Sequence, residues 1–395
     1  MSLPTDNKKL YNLWMIVAIA AVVVTIATCV LCQVHSQDYD NCLVHWVSYL
    51  RTHGRFSSLG HQFHNYNPPY IYLLSAISYI PCEPLKSIRL LSVIFNIAGA
   101  WYIARITALV FGAGSWRTAM AGALALIIPT VFLNSAVWGQ CDAIYSAFLF
   151  AALYYALCRR SRMCMLMCGL SLSFKLQALF LAPVFLIFLL KDYIRWRDIW
   201  VIPSVYLLLL IPAAAAGYPI ADLLTIYIRQ SQLHPGIHSL NYPNPYIWVT
   251  PGEVPSAVHT AALLLGASII FGSSWWMWRQ TRLLHTLPVP MMVFATFVCG
   301  FLVPFALPSM HERYMYPAEA LTAAMIALYP RRTWLWALIP MASTLTYTRV
   351  LLRLDDTLMV EIATIIMCIA LPAILFVFYK SVKSAYAHSF KTIQS

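Results

Sequence analysis

Apolar runs of about 20 residues recur along the 395-residue chain, and this is the length that a helix needs to cross a bilayer. The first runs from Asn12 to Cys32, after Lys8 and Lys9. Because it is too long for a signal-peptide core and has no small-residue cleavage site, we expect a retained helix. Charged residues make up 10% of the chain, against about 25% in soluble domains. The sequence therefore predicts an all-α polytopic membrane protein.

About twelve transmembrane helices are predicted when the apolar runs are read together with the basic clusters. They fall near 12–32, 87–110, 118–135, 142–158, 163–174, 177–190, 199–216, 257–278, 287–307, 315–330, 333–347 and 357–380. The fifth and sixth are separated only by the middle of "FKLQ", which is typical of a broken or re-entrant pair. The chain shows no internal repeat, so we expect 1–395 to form a single membrane domain.

The net charge of +12 is explained by the loops, because 17 of the 26 basic residues fall on one side of the predicted bundle. Such a bias marks the cytoplasmic side, so both termini are expected there and no nucleic acid partner is needed. The large outer loops are then 33–86, which would carry an interfacial helix, and 217–256. Within the first, 69–80 is too short for a crossing and is interpreted as re-entrant or interfacial.

Unusual polar motifs collect on this outer side. They are "QDYD" and "HNYNPPY" in the first loop, "WGQCD" between the third and fourth helices, "FKLQ", "LHPGIHSLNYPNPY" in the second loop, and "PSMHERYMYP" after the ninth helix. Polar residues are costly near hydrocarbon and tend to mark function. Their convergence predicts a site at the outer membrane surface.

Two aspartates open the first outer loop and have different expected roles. An apolar face with helical spacing follows them at Leu43, Trp46, Val47 and Leu50. Asp40 directly precedes this face and is predicted to cap an amphipathic helix that lies along the interface and ends at Gly54. Asp38 has no such local role and would lie beside a lipid head group. The D-x-D spacing also permits a divalent cation, although two carboxylates do not complete a metal site.

Two cations on the outer side are candidates for binding phosphate. Arg313 lies in "HERYMYP", which is not a zinc-protease motif because Met315 replaces the second histidine. Its guanidinium has the fork of donors that suits phosphate, although the motif could equally be a polar turn. Lys175 lies between two short apolar pieces and needs a partner, either Asp142 or an anionic ligand. No metal site is predicted.

Six segments, in this order, resemble GT-C superfamily glycosyltransferases: "DYDNCLVHW", "NYNPPYIYLL", "WGQCDAIY", "LSFKLQALFLAP", "NYPNPY" and "MHERYMYP". These integral membrane enzymes take a sugar from a polyprenyl-phosphate donor on the non-cytoplasmic side. The chain is most similar to bacterial mannosyltransferase-related and glucosyltransferase-like members. It departs from them at Gln37, where a glycine is common, and at Asn96, where an acidic residue is common.

The resemblance implies that Asp38 is the general base for inverting transfer of one hexose, glucose or mannose, to a glycan or lipid-linked acceptor. Arg313 and Lys175 would bind the donor phosphate. Residues implied in binding sugar or acceptor are Tyr39, Asn65, Tyr66, Gln140, Asp142, Gln177, Tyr242, Asn244, His311, Glu312 and Tyr314. No cofactor is required, and a divalent cation stays an option. The implied location is the bacterial inner membrane, with the site facing the periplasm.

Two other functions fit an apolar chain of this kind. A transporter or flippase of lipid-linked sugars would have its site at mid-membrane between repeated halves. A glycan ligase or polymerase of related architecture would also use outer loops. Labelled polyprenyl-phosphate glucose or mannose separates the three functions, because only the predicted enzyme transfers a single sugar.

Overall fold

The structure, a computed structural model, describes residues 5–231, 237–249, 255–282, 284 and 286–394. Parts of the second predicted outer loop, at 232–236 and 250–254, lie outside the described residues, and with them part of "LHPGIHSLNYPNPY".

Sixteen α-helices form in the described ranges. They are α1 Thr5–Leu31, α2 Val44–Thr52, α3 Pro68–Ile77, α4 Pro84–Phe111, α5 Trp116–Ile127, α6 Pro129–Phe132, α7 Asp142–Leu157, α8 Ser161–Phe174, α9 Ala182–Leu190, α10 Val201–Ala215, α11 Ile220–Ser231, α12 Ser256–Thr281, α13 Val289–Ala306, α14 Tyr316–Leu328, α15 Thr333–Leu351 and α16 Leu358–Gln394. Two short strands, β1 Ser239–Leu240 and β2 Met310–His311, pair in parallel. The predicted all-α architecture is confirmed.

Six helices are long and apolar enough to cross a membrane, within the part of the chain that is described: α1, α4, α10 with the turn before it, α12, α13 and α16. A bent pair, Trp116–Ile127 and Pro129–Trp138 at 56°, would make a seventh. Shorter apolar helices, among them α7, α8 and α14, fill several of the other predicted positions. The chain is an integral membrane protein, but the count of twelve crossings is not confirmed and stays a prediction.

The centre of the bundle is formed by α7, α13 and α14. Every residue of α13 from Met291 to Ala306 is buried, and α14 is buried almost as completely. Helices α4 and α8 pack on α7, while α5 packs between α1 and α4. The outer α1 exposes apolar side chains such as Ile16 and Ile19, 64% and 60% accessible, as expected of a surface that faces lipid.

The first loop contains the predicted amphipathic helix, but two details differ from the prediction. The helix begins at Gln37, and its cap is Ser36, whose Oγ accepts a hydrogen bond of 3.2 Å from the Tyr39 amide. Asp40 lies inside the helix, so its predicted role as N-cap is wrong. The apolar face packs against α3 and α4 instead of lipid. Gly54, at φ +85°, follows the helix end as predicted.

The predicted break inside "FKLQ" is confirmed. Lys175 has extended backbone angles, φ −154° and ψ 136°, between the end of α8 and a 3-10 turn at Leu176–Leu181. This interruption directs the Lys175 side chain into the protein at the end of a buried helix. Helix α3 has ten residues and measures about 15 Å, too short to cross a bilayer alone.

Candidate active site

Polar side chains from four segments meet at one end of α7 and α8. Asp38 comes from the first loop, Gln140 and Asp142 from the turn that begins α7, and Lys175 from the break after α8. The fourth segment follows β2 and precedes α14. We call the following residues the polar cluster: Asp38, Gln140, Asp142, Lys175, Glu312, Arg313 and Tyr314. Four of the six motifs that were predicted to converge thus meet in the structure.

Asp38 is the acid of the polar cluster that solvent can reach. Its side chain is 39% exposed, whereas those of Asp142 and Glu312 are 0% and 2% exposed. Its Oδ2 accepts a hydrogen bond of 2.6 Å from Gln140 Nε2 and lies 3.3 Å from Arg313 Nη1. Both neighbours present N–H donors to this carboxylate oxygen. The arrangement holds a carboxylate at the solvent-accessible edge of a buried polar site.

Asp142 and Lys175 form a buried ion pair. Lys175 Nζ donates to Asp142 Oδ1 at 2.5 Å, and Asn134 Nδ2 donates to Asp142 Oδ2 at 3.1 Å. The Lys175 ammonium lies 5.1 Å from the ring centre of Tyr314 and 5.6 Å from that of Tyr145. A buried pair needs further hydrogen bonds to offset its desolvation, and Asn134 supplies one of them to the Asp142 carboxylate.

Arg313 is surrounded by three carboxylates. Its Nη1 donates to Glu312 Oε1 at 2.9 Å, and its Nε lies 3.7 Å from Asp142 Oδ2, too far for a hydrogen bond. The Nε is buried and has no hydrogen-bond partner among the described residues. Its guanidinium carbon lies 5.5 Å from the ring centre of Trp138. The arginine is therefore held rigidly with one donor unused.

Glu312 is the acid of the polar cluster with a strongly altered pKa. Burial raises the pKa of Glu312 to about 7, although the adjacent Arg313 opposes the rise. Its Oε2 lies 3.9 Å from His311 Nδ1. The charge of the site therefore changes near neutral pH.

Buried Arg89 of α4 fixes the backbone around Asp38 and Gln140. Its Nε donates to the Val137 carbonyl at 2.8 Å, and its Nη1 donates to the Cys32 carbonyl at 2.7 Å. It thereby ties the end of α1 to the turn before α7. Gly139, at φ +76°, makes that turn, and a Cβ there would lie 3.2 Å from Arg89 Cγ.

The side chain of Tyr66, one of the residues expected in the first loop, lies within reach of the charges of the polar cluster. Its ring packs between Trp46 and Tyr70, at 5.4 Å from each. Burial raises its pKa well above the usual value, and the charges of Arg313 and Asp38 also act on it. The structure places two other predicted site residues outside the cluster, Tyr39 among apolar side chains beside His35 and Asn65 beside Gln230.

Four further residues predicted to bind substrate have varied surroundings. Gln177 follows the break, and its buried Oε1 has no hydrogen-bond partner in the described ranges. Tyr242 is fully buried in the core. Asn244 Nδ2 donates to the Leu307 carbonyl at 3.0 Å and so joins the second loop to the end of α13. The His311 ring lies 5.2 Å from that of Tyr314. Their roles in binding substrate stay predictions.

Sequence reasoning missed a layer beneath the polar cluster. Asn134 donates both to Asp142 and, at 3.3 Å, to the Tyr347 hydroxyl. The Trp138 ring meets that of Tyr347 edge to face at 5.3 Å and lies under Arg313. Asn134 carried a usable signal, because it is an amide inside a predicted span. Tyr347 carried none.

The two loop aspartates bind different arginines. Asp38 faces Arg313, whereas Asp40 hydrogen-bonds Arg353 and lies 3.4 Å from His35 Nδ1. In the described part of the chain, no three His, Cys, Asp or Glu side chains are grouped so that they could hold a metal ion.

No protein-family model and no curated protein matches the chain. Its fold is similar to that of ArnT from Cupriavidus metallidurans, a GT-C glycosyltransferase, in a crystal structure with bound undecaprenyl phosphate. The TM-score is 0.57 at 14% identity, over 94% of this chain and 73% of ArnT. The apo crystal structure of ArnT matches over the same shares, with a TM-score of 0.49 at 15% identity. The chain therefore has the GT-C fold that its sequence motifs predicted.

Proposed function

We propose that this GT-C-fold protein is a glycosyltransferase that moves one hexose, glucose or mannose, from a polyprenyl-phosphate donor to a glycan or lipid-linked acceptor. The undecaprenyl phosphate bound to ArnT supports a donor of this class. The observation that carries the proposal is the placement of the solvent-accessible Asp38 beside buried Arg313, with buried Lys175 joined to the same cluster through Asp142. A base and phosphate-binding cations are what transfer from a sugar phosphate needs.

In the proposed reaction, Asp38 is the general base. The acceptor hydroxyl attacks the anomeric carbon and forms a new glycosidic bond, while its proton passes to the Asp38 carboxylate. The bond from that carbon to the phosphate oxygen breaks, and polyprenyl phosphate leaves with the electron pair. Attack opposite the leaving group inverts the anomeric carbon. One carboxylate suffices because phosphate leaves readily, whereas glycosidases need a second acid for their poorer leaving group.

Arg313 and Lys175 are proposed to stabilise the charge that gathers on the departing phosphate. Arg313 Nε is a buried donor without a partner in the described ranges, so a phosphate oxygen would satisfy it. Lys175 is held by Asp142 and is presented from the break after α8. Gln140 would orient Asp38 through its hydrogen bond of 2.6 Å. Tyr66 and Tyr314, beside these groups, are the proposed sugar contacts.

The polar cluster is proposed to face the periplasm of a bacterial inner membrane, with both termini in the cytoplasm. The distribution of basic residues supports the orientation, and the resemblance to bacterial members supports the choice of membrane. The donor would then bind from the outer leaflet, with its chain in the surrounding lipid.

The purified protein tests the proposal in liposomes that contain labelled polyprenyl-phosphate glucose or mannose and membrane-derived acceptors. Wild type should transfer single sugars. Asp38→Asn should reduce turnover about 10²–10⁴-fold, the usual contribution of a general base, while the donor lipid still binds. Asp40→Asn is the matched control, because it makes the same change two residues away and weakens exposed contacts with Arg353 and His35.

Near-normal turnover of Asp38→Asn would refute the assignment of the base. Movement of the donor across the bilayer without transfer would instead show a transporter. Transfer of whole glycans would show a ligase or polymerase.

A further inference from the structure

The end of α8 farthest from Lys175 borders a second polar pocket. Because α8 has 14 residues, about 20 Å separates this end from the polar cluster. The pocket has a volume of about 300 Å³ and is lined by residues 159–163 and by Asp192, Tyr193 and Arg195. We call it the basic pocket. It belongs to no part of the proposed reaction.

The basic pocket has an excess of positive charge. Its lining includes Arg159, Arg160, Arg162 and Arg195 but only one acid, Asp192. Behind it, buried Asp198 lies 2.7 Å from Arg195 Nε and 3.5 Å from Arg162 Nε, so these two arginines share one carboxylate. The Arg159 guanidinium lies over the Tyr193 ring at 4.0 Å. Arg160 is exposed and has no ion pair within the described ranges. The unneutralised charge suits an anion.

An apolar pocket adjoins the basic pocket along the same helices. It has a volume of about 200 Å³, and its lining from α7 to α10 contains no charged side chain. Ile194 lines the apolar pocket, while its neighbours Tyr193 and Arg195 line the basic one. Leu179 and Leu186 of the apolar pocket are 50% and 49% exposed. The pocket is therefore open toward the surface that faces lipid.

Two tryptophans mark the level of the basic pocket in the membrane. Trp196 and Trp200 are 61% and 76% exposed and lie one and five residues after Arg195 in the chain. Tryptophan is enriched where hydrocarbon meets the head groups, since its ring is apolar and its N–H is polar. The mouth of the basic pocket therefore lies at head-group depth.

We propose that the basic pocket and the apolar pocket together bind one anionic phospholipid. The phosphate would contact Arg159 and Arg160, and an acyl chain would fill the apolar pocket. Basic pockets between transmembrane helices are suited to anionic head groups. The adjoining apolar pocket favours a lipid over a free anion, and the excess of arginine favours an anionic over a zwitterionic head group. In the proposed orientation this lipid belongs to the cytoplasmic leaflet, away from the sugar donor.

Native mass spectrometry of the full chain in mild detergent tests the head group. The probes are phosphatidylglycerol, phosphatidylcholine and inorganic phosphate. Wild type should retain phosphatidylglycerol in preference to phosphatidylcholine, also in excess inorganic phosphate. The double variant Arg159→Gln/Arg160→Gln should lower its occupancy about tenfold or more, because each basic residue near a head group contributes to affinity. Arg331→Gln/Arg332→Gln is the control, since it removes two exposed arginines that are neighbours in the sequence but do not line the basic pocket.

Equal occupancy in the double variant and the control would overturn the proposal. So would equal binding of phosphatidylcholine, or complete displacement of the lipid by inorganic phosphate, which would indicate a site for free anions. Leu186→Trp tests the acyl chain independently and leaves the arginines intact. It should weaken long-chain phosphatidylglycerol but not a six-carbon-chain analogue. Equal binding of both lipids to this variant and to wild type would also overturn the proposal.

Discussion

The buried pair of Lys175 and Asp142 makes a quantitative prediction. The two side chains are 8% and 0% exposed, and 2.5 Å separates Lys175 Nζ from Asp142 Oδ1. Lys175→Met keeps most of the volume but leaves the Asp142 carboxylate with Asn134 at 3.1 Å and Arg313 Nε at 3.7 Å. Breaking a buried pair on one side costs about 3–5 kcal/mol of unfolding free energy. Because Arg313 compensates part of the charge, we expect about 3 kcal/mol.

The double variant Lys175→Met/Asp142→Asn removes both charges and should cost only about 1 kcal/mol, since no buried ion is left unpaired. The two changes would then be coupled by at least about 2 kcal/mol. Unfolding by denaturant in mixed micelles, followed by tryptophan fluorescence, measures the unfolding free energies of wild type, both single variants and the double variant. Lys191→Met is the control, because the Lys191 ammonium binds backbone carbonyls and no carboxylate within the described ranges; one of these carbonyls is that of Thr281, at 2.9 Å.

Additive effects, or a cost below about 1 kcal/mol for Lys175→Met, would refute the reasoning about the buried charge. The double variant also distinguishes a structural role of Lys175 from a role in sugar transfer. If Lys175 contacts the donor phosphate, the double variant should be stable but slow in transfer. Full transfer activity in the stable double variant would limit Lys175 to a structural role.

The remaining predictions concern Glu312 and Arg89. Burial raises the pKa of Glu312 to about 7, so its neutral form stabilises the fold. That contribution is complete below its ordinary pKa of about 4.5 and is lost as the pH rises through about 7. Thermal unfolding should show this loss in wild type but not in Glu312→Gln, and donor binding should weaken over the same range. Arg89→Met should cost about 2–4 kcal/mol in the same unfolding assay, because the Val137 and Cys32 carbonyls lose their donor, and transfer should fall too.

Each of these has its own control. A pH profile that is the same in Glu312→Gln and wild type would assign the titration to another group. Arg89→Lys should rescue little, since one ammonium cannot reproduce the geometry of the guanidinium fork. Full rescue by lysine would show that only the charge matters.

The polar cluster was predictable because the chain has so few polar residues near its apolar runs. Asp38, Lys175 and Arg313 each follow such a run. Assigning the loops to the two sides of the membrane therefore placed all three on the same side. The partner of Asp40 was not predictable, since Arg353 lies 313 residues away in the sequence. The prediction that Asp40 is the N-cap was wrong for a local reason. Ser36 and Asp40 are both good N-caps, and the sequence did not show where the helix begins.

Two features depend on packing and so were not predictable from the sequence: the number of membrane crossings and the surroundings of the helix in the first loop. Helices α8 and α14 have only 14 and 13 residues, so apolar length alone does not decide whether they cross the bilayer. The amphipathic face around Trp46 and Val47 suits lipid and protein equally well. Helices α3 and α4 cover it, and that contact depends on the whole bundle.

The charges of the polar cluster suggest how the base is released. In the described part of the chain, Asp38 and Asp142 lie beside the cations Lys175 and Arg313. Glu312 adds a further negative charge as the pH rises through about 7, so above that pH a donor phosphate would enter a site with a surplus of acids. Asp38 is the acid whose contact with Arg313 is exposed to solvent, and it is therefore the contact that phosphate can displace. A displaced Asp38 would be free to accept a proton only when donor is bound. Asp38→Asn would then bind donor lipid more tightly than wild type, because asparagine competes less for Arg313. Weaker binding would show that Asp38 helps to hold the donor.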